Sequence, residues 1–242
     1  MDRCLFCDPE EGSRHMLETF GLRVGPIAWS RSFFIMPMVG AGAEGYLLLV
    51  SRKHYHSMAE LPIEQFAELS RLLPLVRAEV GKAFGNPIVF EHGSTCHNLS
   101  CLIDHAHLHI VPVPAGFSLR EDIERDHPLL RLRRFEDLSL WATGGAGRAF
   151  YDFEDGARLD GYDPERERFA GYLYYEEQDG TGYVHELRSV DGFQPQYLRR
   201  LLLARMGRSV WDWRRNIDQG QVDEAVRRLG GMQEAIDRGR PA

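Results

Sequence analysis

Residues 104–112 read Asp-His-Ala-His-Leu-His-Ile-Val-Pro. Histidines alternating with apolar residues fit a β-strand. Only a period of two sets His105, His107 and His109 on one face and Ala106, Leu108 and Ile110 on the other. A fold that accepts this strand must bury one sheet face and gather three imidazoles on the opposite one. The plain alternative is a strand whose histidines are surface or packing residues. With ten histidines in 242 residues, three at such alternate places would arise by chance in roughly one such chain in fifty. Seven of the ten (His54, His56, His92, His97, His105, His107 and His109) fall within residues 54–109. Histidine binds metals, attacks as a nucleophile and exchanges protons near neutral pH, so the cluster reads as a site.

The flanking sequence predicts an α+β fold. Ser32–Met38 and Gly45–Val50 read as strands joined by the loop 40–43. Phe66, Leu69, Leu72, Leu73, Val76, Val80 and Phe84 follow helical spacing over residues 62–84, with Gly85 placed to stop the helix. Pro74 should kink or interrupt it. Pro87–Glu91 and His105–Val113 are further strands. Residues 115–170 are less periodic and read as an inserted lid or auxiliary layer. A hairpin is expected from Gly171–Glu176 and Gly182–Leu187 around Asp179-Gly180. Helices are expected over Gln194–Met206, with Pro195 in the first turn, and over Gln221–Arg238, broken at Gly230-Gly231. The domain reading is a catalytic core over 1–114, the insertion over 115–170, and a hairpin with a helical extension over 171–242 packed on the core.

Composition narrows the function. The formal charge is −7, which makes nucleic acid an improbable partner, since non-specific binding depends on neutralising many phosphates. No apolar run approaches the roughly 20 residues of a membrane span, and the first residues lack the basic and apolar regions of a signal peptide. With four cysteines, two of them in Cys4-Leu-Phe-Cys7, the expectation is a cytoplasmic protein. That Cys-x-x-Cys suits tetrahedral zinc, which would need two more ligands. A redox pair and an unmetallated remnant are the other readings.

His105-Ala-His-Leu-His-Ile-Val111 resembles the signature of the histidine triad superfamily. Cys4-Leu-Phe-Cys7 is similar to the N-terminal zinc pair of many members, Gly45–Tyr55 to the strand and Lys-His before the long helix, and Val89–Gly93 to the strand and turn before the triad. The match covers about residues 1–114. It implies an antiparallel sheet with a long helix, here with an insertion and a C-terminal helical extension. It also implies hydrolysis or nucleotidyl transfer at an α-phosphate, with His107 as the nucleophile that forms a nucleotidyl-histidine and His109 as a donor to phosphate oxygen or the leaving group. A structural zinc ion would take Cys4, Cys7, His54 and His105, with His56 and His97 as spare candidates. A small nucleotide is the implied substrate, with a dinucleoside polyphosphate first, and a homodimer the implied assembly.

The family's Gln and Ser or Thr donors, four and three residues before the first triad histidine, are replaced here by Cys101 and Leu102. His92 and the turn Gly93-Ser94-Thr95 are the substitute phosphate-binding group, through backbone N–H groups. The same replacement motivates the alternative of a non-catalytic nucleotide-binding or interaction protein on this fold. Arg199-Arg200 with Trp211–Arg214 resembles the C-terminal extension of longer members. The arginines of 199–215 read as a solvated face, one or two of them within reach of distal phosphates. Trp211 and Trp213 read as core anchors.

Overall fold

The first helix is set by its ends. Asp8 accepts a hydrogen bond from the Glu11 amide (3.1 Å), Pro9 occupies the first turn, and Gly21 closes the helix with φ of 67°. These are standard start and stop signals. The resulting α1 spans Pro9–Phe20, a stretch to which the sequence pattern assigned no element. The computed structural model describes residues 4–40, 42–94, 105–126, 132–134, 151–152, 157–158, 171–187, 194 and 196–239.

After α1 come β1 (Ala28–Trp29), β2 (Phe33–Pro37), β3 (Leu47–Ser51), a 3-10 turn (Met58–Glu60) and α2 (Ile63–Phe84). Then follow β4 (Pro87–Ser94), β5 (His107–Pro112), α3 (Arg120–Asp126), β6 (Leu132–Arg134), β7 (Tyr151–Asp152) and β8 (Ala157–Arg158). The chain ends with β9 (Gly171–Glu176), β10 (Gly182–Leu187), α4 (Tyr197–Arg205), a 3-10 turn (Trp213–Arg215), α5 (Gln219–Arg228) and α6 (Met232–Arg238). The fold is α+β, with an eight-stranded sheet in the order β1-β2-β3-β5-β4-β9-β10-β6 and antiparallel at every pairing. No helix among the described residues is long and apolar enough to cross a membrane. Most of the insertion read over 115–170 lies outside the described residues.

The sheet's faces follow the side-chain alternation. Leu47, Leu49, Val89, Leu108, Ile110 and Tyr172 pack under α2 and α6. On the other face, Tyr46, Val50, Phe90 and Leu173 pack with Phe6 and with Leu198 and Leu202 of α4. β9 pairs with β4 from Val89↔Glu176 to Ser94↔Gly171, so the late hairpin belongs to the same sheet as the histidine strand. The helix α4 begins at Tyr197, two residues beyond the proline expected in its first turn.

Pro74 does not interrupt α2, which runs unbroken from Ile63 to Phe84. Proline costs a helix interior about 3 kcal/mol through its missing N–H and ring clash. Phe66, Leu69, Leu72, Leu73, Val76 and Val80 are all buried on the opposite side, each worth about 1.5–3 kcal/mol. Tertiary burial wins. Pro74 itself is exposed. Pro74→Ala should therefore raise stability by about 2 kcal/mol, the regained helix term less the entropy proline removes from the unfolded chain, read as a higher urea midpoint.

Glu91 of β4 holds the segment that follows β3. Its carboxylate is 3% exposed and accepts from the Met58 amide (2.8 Å) and the Tyr172 hydroxyl (2.6 Å). Burial pushes its pKa up from 4.5 to about 7, against the pull of those hydrogen bonds, with the charge of Glu60 adding to the rise. The folded state thus binds a proton more tightly than the unfolded chain. The stability this supplies is complete below about pH 4.5 and lost as pH rises through about 7. Between about pH 5 and 8 the Tm of the wild type should fall relative to Glu91→Gln, which carries no titrating group there.

Candidate active site and metal centre

Cys4 and Cys7 form a tight turn, Cys7 N–H donating to the Cys4 carbonyl (3.1 Å), directly before the Asp8 cap of α1. The turn lies against the start of β5. His105 is 2% exposed, and its Nε2–H donates to the Ser51 carbonyl at the end of β3 (2.7 Å). A carbonyl only accepts, so the proton sits on Nε2 and Nδ1 keeps its lone pair. That Nδ1 lies 3.3 Å from Cys4 Sγ and 3.8 Å from Cys7 Sγ, while His54 Nδ1 is 3.2 Å from Cys7 Sγ. The four ligand atoms all fall within 4.8 Å of one another. Tetrahedral zinc with Zn–S of about 2.3 Å and Zn–N of about 2.0–2.1 Å sets S and N roughly 3.5 Å apart. The donor set therefore fits zinc, and the Ser51 bond supplies the outer contact that orients a ligating imidazole. Neither Cys4 nor Cys7 is in a disulfide. His56 stands beside His54, ring centroids 5.4 Å apart, and its backbone amide donates to Glu60 (2.9 Å). It is not among the four converging residues. His97 lies outside the described residues.

The next histidines on the strand are held differently. His107 Nδ1–H donates to the His105 carbonyl (2.6 Å), which leaves Nε2 with the lone pair. Burial lowers its pKa, the His105 hydrogen bond opposing, so the ring is neutral at physiological pH. His109 is 4.8 Å from His107 between ring centroids and stacks on Phe90 at 4.6 Å. Its Nδ1 meets the Tyr46 hydroxyl at 2.9 Å. Burial holds its pKa well below the ordinary value, helped by the charges of His107, His92 and Arg199. The pair is chemically complementary, with a neutral imidazole offering a lone pair beside one tied to a phenol.

The expected phosphate-binding group looks different in place. His92 Nε2 accepts the Leu198 amide (2.9 Å) in the first turn of α4, satisfying a helix-end N–H. Burial and the charge of His107 lower its pKa to about 3. Gly93 and Ser94 are strand residues paired with Tyr172 and Gly171, where a turn was expected. A Cβ on Gly93 would sit 2.1 Å from the Tyr172 ring, so glycine is there to let that ring pass. Thr95, Cys101 and Leu102 lie outside the described residues.

Three contributors were not read from sequence. Phe6, inside the Cys-x-x-Cys, turns its ring edge to His105 and His107 (5.7 and 5.6 Å). Phe6 also lines an apolar pocket of about 80 Å³ with Met16, Phe34, Met36, Leu48 and Trp213. Tyr46 is 1% exposed and Arg199 2%, which overturns the reading of Arg199 as part of a solvated face. Its Nε donates to the Trp211 carbonyl (2.8 Å) and its Nη2 to the Gly40 carbonyl. No sequence pattern separates it from Arg200, which lies over the Trp211 ring (4.2 Å), or from Arg205, paired with Asp122 (2.5 Å). Trp213 packs on Phe20 (5.5 Å), and Trp211 is partly buried.

No family model matches the chain, and no curated protein does. Among solved structures it is similar to a hypothetical histidine triad nucleotide-binding protein from Sulfolobus tokodaii, 20% identical over 47% of this chain and 71% of that one, with a TM-score of 0.36. A zinc-bound histidine triad family protein from Mycobacterium smegmatis is 20% identical over 48% and 78% of the two chains, with a TM-score of 0.35. A HIT family hydrolase from Clostridium thermocellum is 13% identical over 49% and 96%, with a TM-score of 0.32. Each of these alignments covers about half of this chain.

Proposed function

We propose that the protein is a nucleotide hydrolase or nucleotidyltransferase of the histidine triad type, with His107 as nucleophile. The observation that carries this reading is the bond from His107 Nδ1–H to the His105 carbonyl, which reserves Nε2 of a neutral ring for attack. In the first step an N–P bond forms from Nε2 to the α-phosphorus. The bridging P–O bond breaks, and the leaving phosphate departs with its electron pair. In the second, water or another acceptor adds through oxygen, the N–P bond breaks, and the acceptor's proton is released. Splitting one displacement into two is the advantage of covalent catalysis. His109 lies beside His107 as the donor to a phosphate oxygen, where charge builds in the transition state. The apolar pocket behind Phe6 suits an aromatic base, and a dinucleoside polyphosphate is the leading substrate. Cys4, Cys7, His54 and His105 would hold a structural zinc ion. Bound there, zinc would supply a cross-link between the N-terminal turn and the segments after β3 and before β5, next to the nucleophile.

Dinucleoside polyphosphates, nucleoside phosphoramidates and nucleotide sugars should be assayed with the wild type and His107→Asn. The variant should lose at least about 10³-fold in kcat with an unchanged Tm and metal content, and the wild type should give a nucleotidyl adduct by intact mass. Unaltered turnover in His107→Asn would sink the reading, whereas nucleotide binding without adduct or turnover favours the non-catalytic alternative. Elemental analysis should find about one zinc per chain. Cys7→Ser should lose the metal, and chelation should lower the Tm of the wild type, with no such shift in the variant.

A further inference from the structure

The apolar pocket behind Phe6 is built by both ends of the chain on a floor of sheet. Phe34 and Met36 of β2 pair with Val50 and Leu48 of β3, which in turn pair with His107 and His109 of β5. The floor therefore lies in the same cross-strand rows as both histidines, on the same face. Two strand spacings, about 10 Å, separate β2 from β5, a gap that a nucleoside 5′-phosphate bridges. Along β2 the pocket runs from Phe34, where Phe6 meets it edge-on (6.3 Å), to Val39, which clusters with Trp213.

Trp213 belongs to the C-terminal segment, and that segment is pinned on both sides of it. Upstream, Arg199 donates through Nε to the Trp211 carbonyl (2.8 Å) and through Nη2 to the Gly40 carbonyl. Downstream, the Gln219 side chain accepts from the Arg23 amide (2.8 Å) and donates to the Arg23 carbonyl (2.9 Å). The Trp213 backbone leaves no room for a Cβ on Gly40, and its ring packs edge-on against Phe20 of α1 (5.5 Å). Met16 and Met36 also line the pocket, but thioether chains yield at small cost. Trp213 is the braced wall.

We propose that Trp213 is a specificity-determining residue, which ends the pocket at the depth of a single ring and so favours pyrimidine over purine nucleotides. The proposal rests on the reading of His107 as the nucleophile. Size carries the first half of it. At about 80 Å³ the pocket is smaller than the roughly 150 Å³ apolar cavity that encloses one benzene. It is open on one side, so one ring enters part-way, whereas a fused pair needs the wall to move. Polarity carries the second half. Of the lining side chains only Ser13 and Trp213 carry a polar hydrogen, and the Ser13 hydroxyl donates to the Pro9 carbonyl (2.7 Å). Groups that need hydrogen bonds therefore stay at the mouth. A pyrimidine meets both conditions, because its C5–C6 edge is apolar and its polar edge lies opposite. With so few polar partners the pocket selects by shape, and cytosine and uracil are equivalent in it.

Calorimetric binding of UMP, CMP and AMP tests this without turnover. The wild type should bind UMP and CMP within about threefold of each other. It should bind AMP at least roughly 10-fold more weakly, the scale of discrimination that pocket size supplies. Trp213→Ala should bring AMP to within about threefold of UMP, and kcat/KM for the corresponding phosphoramidates should follow the same ratios. AMP bound as tightly as UMP by the wild type would overturn the proposal. So would a folded Trp213→Ala with an unchanged ratio, or no binding of any of the three. If Trp213→Ala fails to fold, Trp213→Leu keeps an apolar contact for Phe20 and decides, an unchanged ratio there counting against the wall. UMP preference in a wild type without turnover would support the ring-size limit while overturning the catalytic reading. Turnover with a nucleotidyl adduct but no ring-size preference would overturn the limit alone.

Discussion

Each imidazole along the histidine strand has one nitrogen committed to a fixed partner, and the use of the other nitrogen follows from that commitment. Ser51 takes Nε2–H of His105, the His105 carbonyl takes Nδ1–H of His107, and Tyr46 meets Nδ1 of His109. Three identical side chains at alternate positions thereby acquire three different chemistries. His105 offers Nδ1 to the cysteines, His107 offers Nε2 as a lone pair, and His109 has its Nδ1 tied to a phenol. The strand sets the spacing, and neighbouring carbonyls and a phenol set the protons.

Those partners are fixed only because the sheet is. Ser51 ends β3, which pairs with β5 from Leu47↔Ile110 to Val50↔His107. His109 is clamped between Tyr46 and the face of Phe90 on β4. The segment that carries His54 is held by Glu91 through the Met58 amide. Glu91 shares its strand with His92, which points to the opposite face and caps α4. One strand therefore holds the segment after β3 through Glu91 on one face of the sheet and the C-terminal helix through His92 on the other. The chain's far half contributes in turn, since β9 lies along β4 and Tyr172 closes over Gly93.

The parts legible in the sequence were those encoded by local periodicity. The alternation over 105–111 gave the strand and its faces, the helical spacing of Phe66 to Val80 gave α2, and Asp179-Gly180 gave the late hairpin. The Cys2His2 cluster became legible through resemblance, because Cys4, Cys7, His54 and His105 are brought together by tertiary structure alone. Other features failed for physical reasons. The cap signals of α1 are present in Asp8-Pro9-Glu10-Glu11, but the helix buries only Gly12 and Met16 and so shows little apolar periodicity. Pro74 was overruled by burial on the other side of its helix. Gly93 looked like turn chemistry because sequence does not show the tyrosine ring that needs the space. Arg199 sits in a run of arginines, and nothing local distinguishes the one folded inward.

That inward arginine also bears on how an acidic chain would accept the proposed anionic ligand. Net charge governs long-range attraction to large polyanions, while a single phosphate responds to the groups around it. Here those groups are neutral imidazoles, whose pKa values burial depresses, and one permanently charged guanidinium behind Tyr46. Neutral rings keep a lone pair for attack, which protonated ones would lose. The guanidinium of Arg199, like that of any arginine in a protein, keeps its charge. The positive field at the site therefore comes from a group that cannot give up its proton, and nucleophilicity from groups that have already lost theirs. On the proposed reading, separating the two onto different residues would let one pocket attract a phosphate and attack it at the same pH.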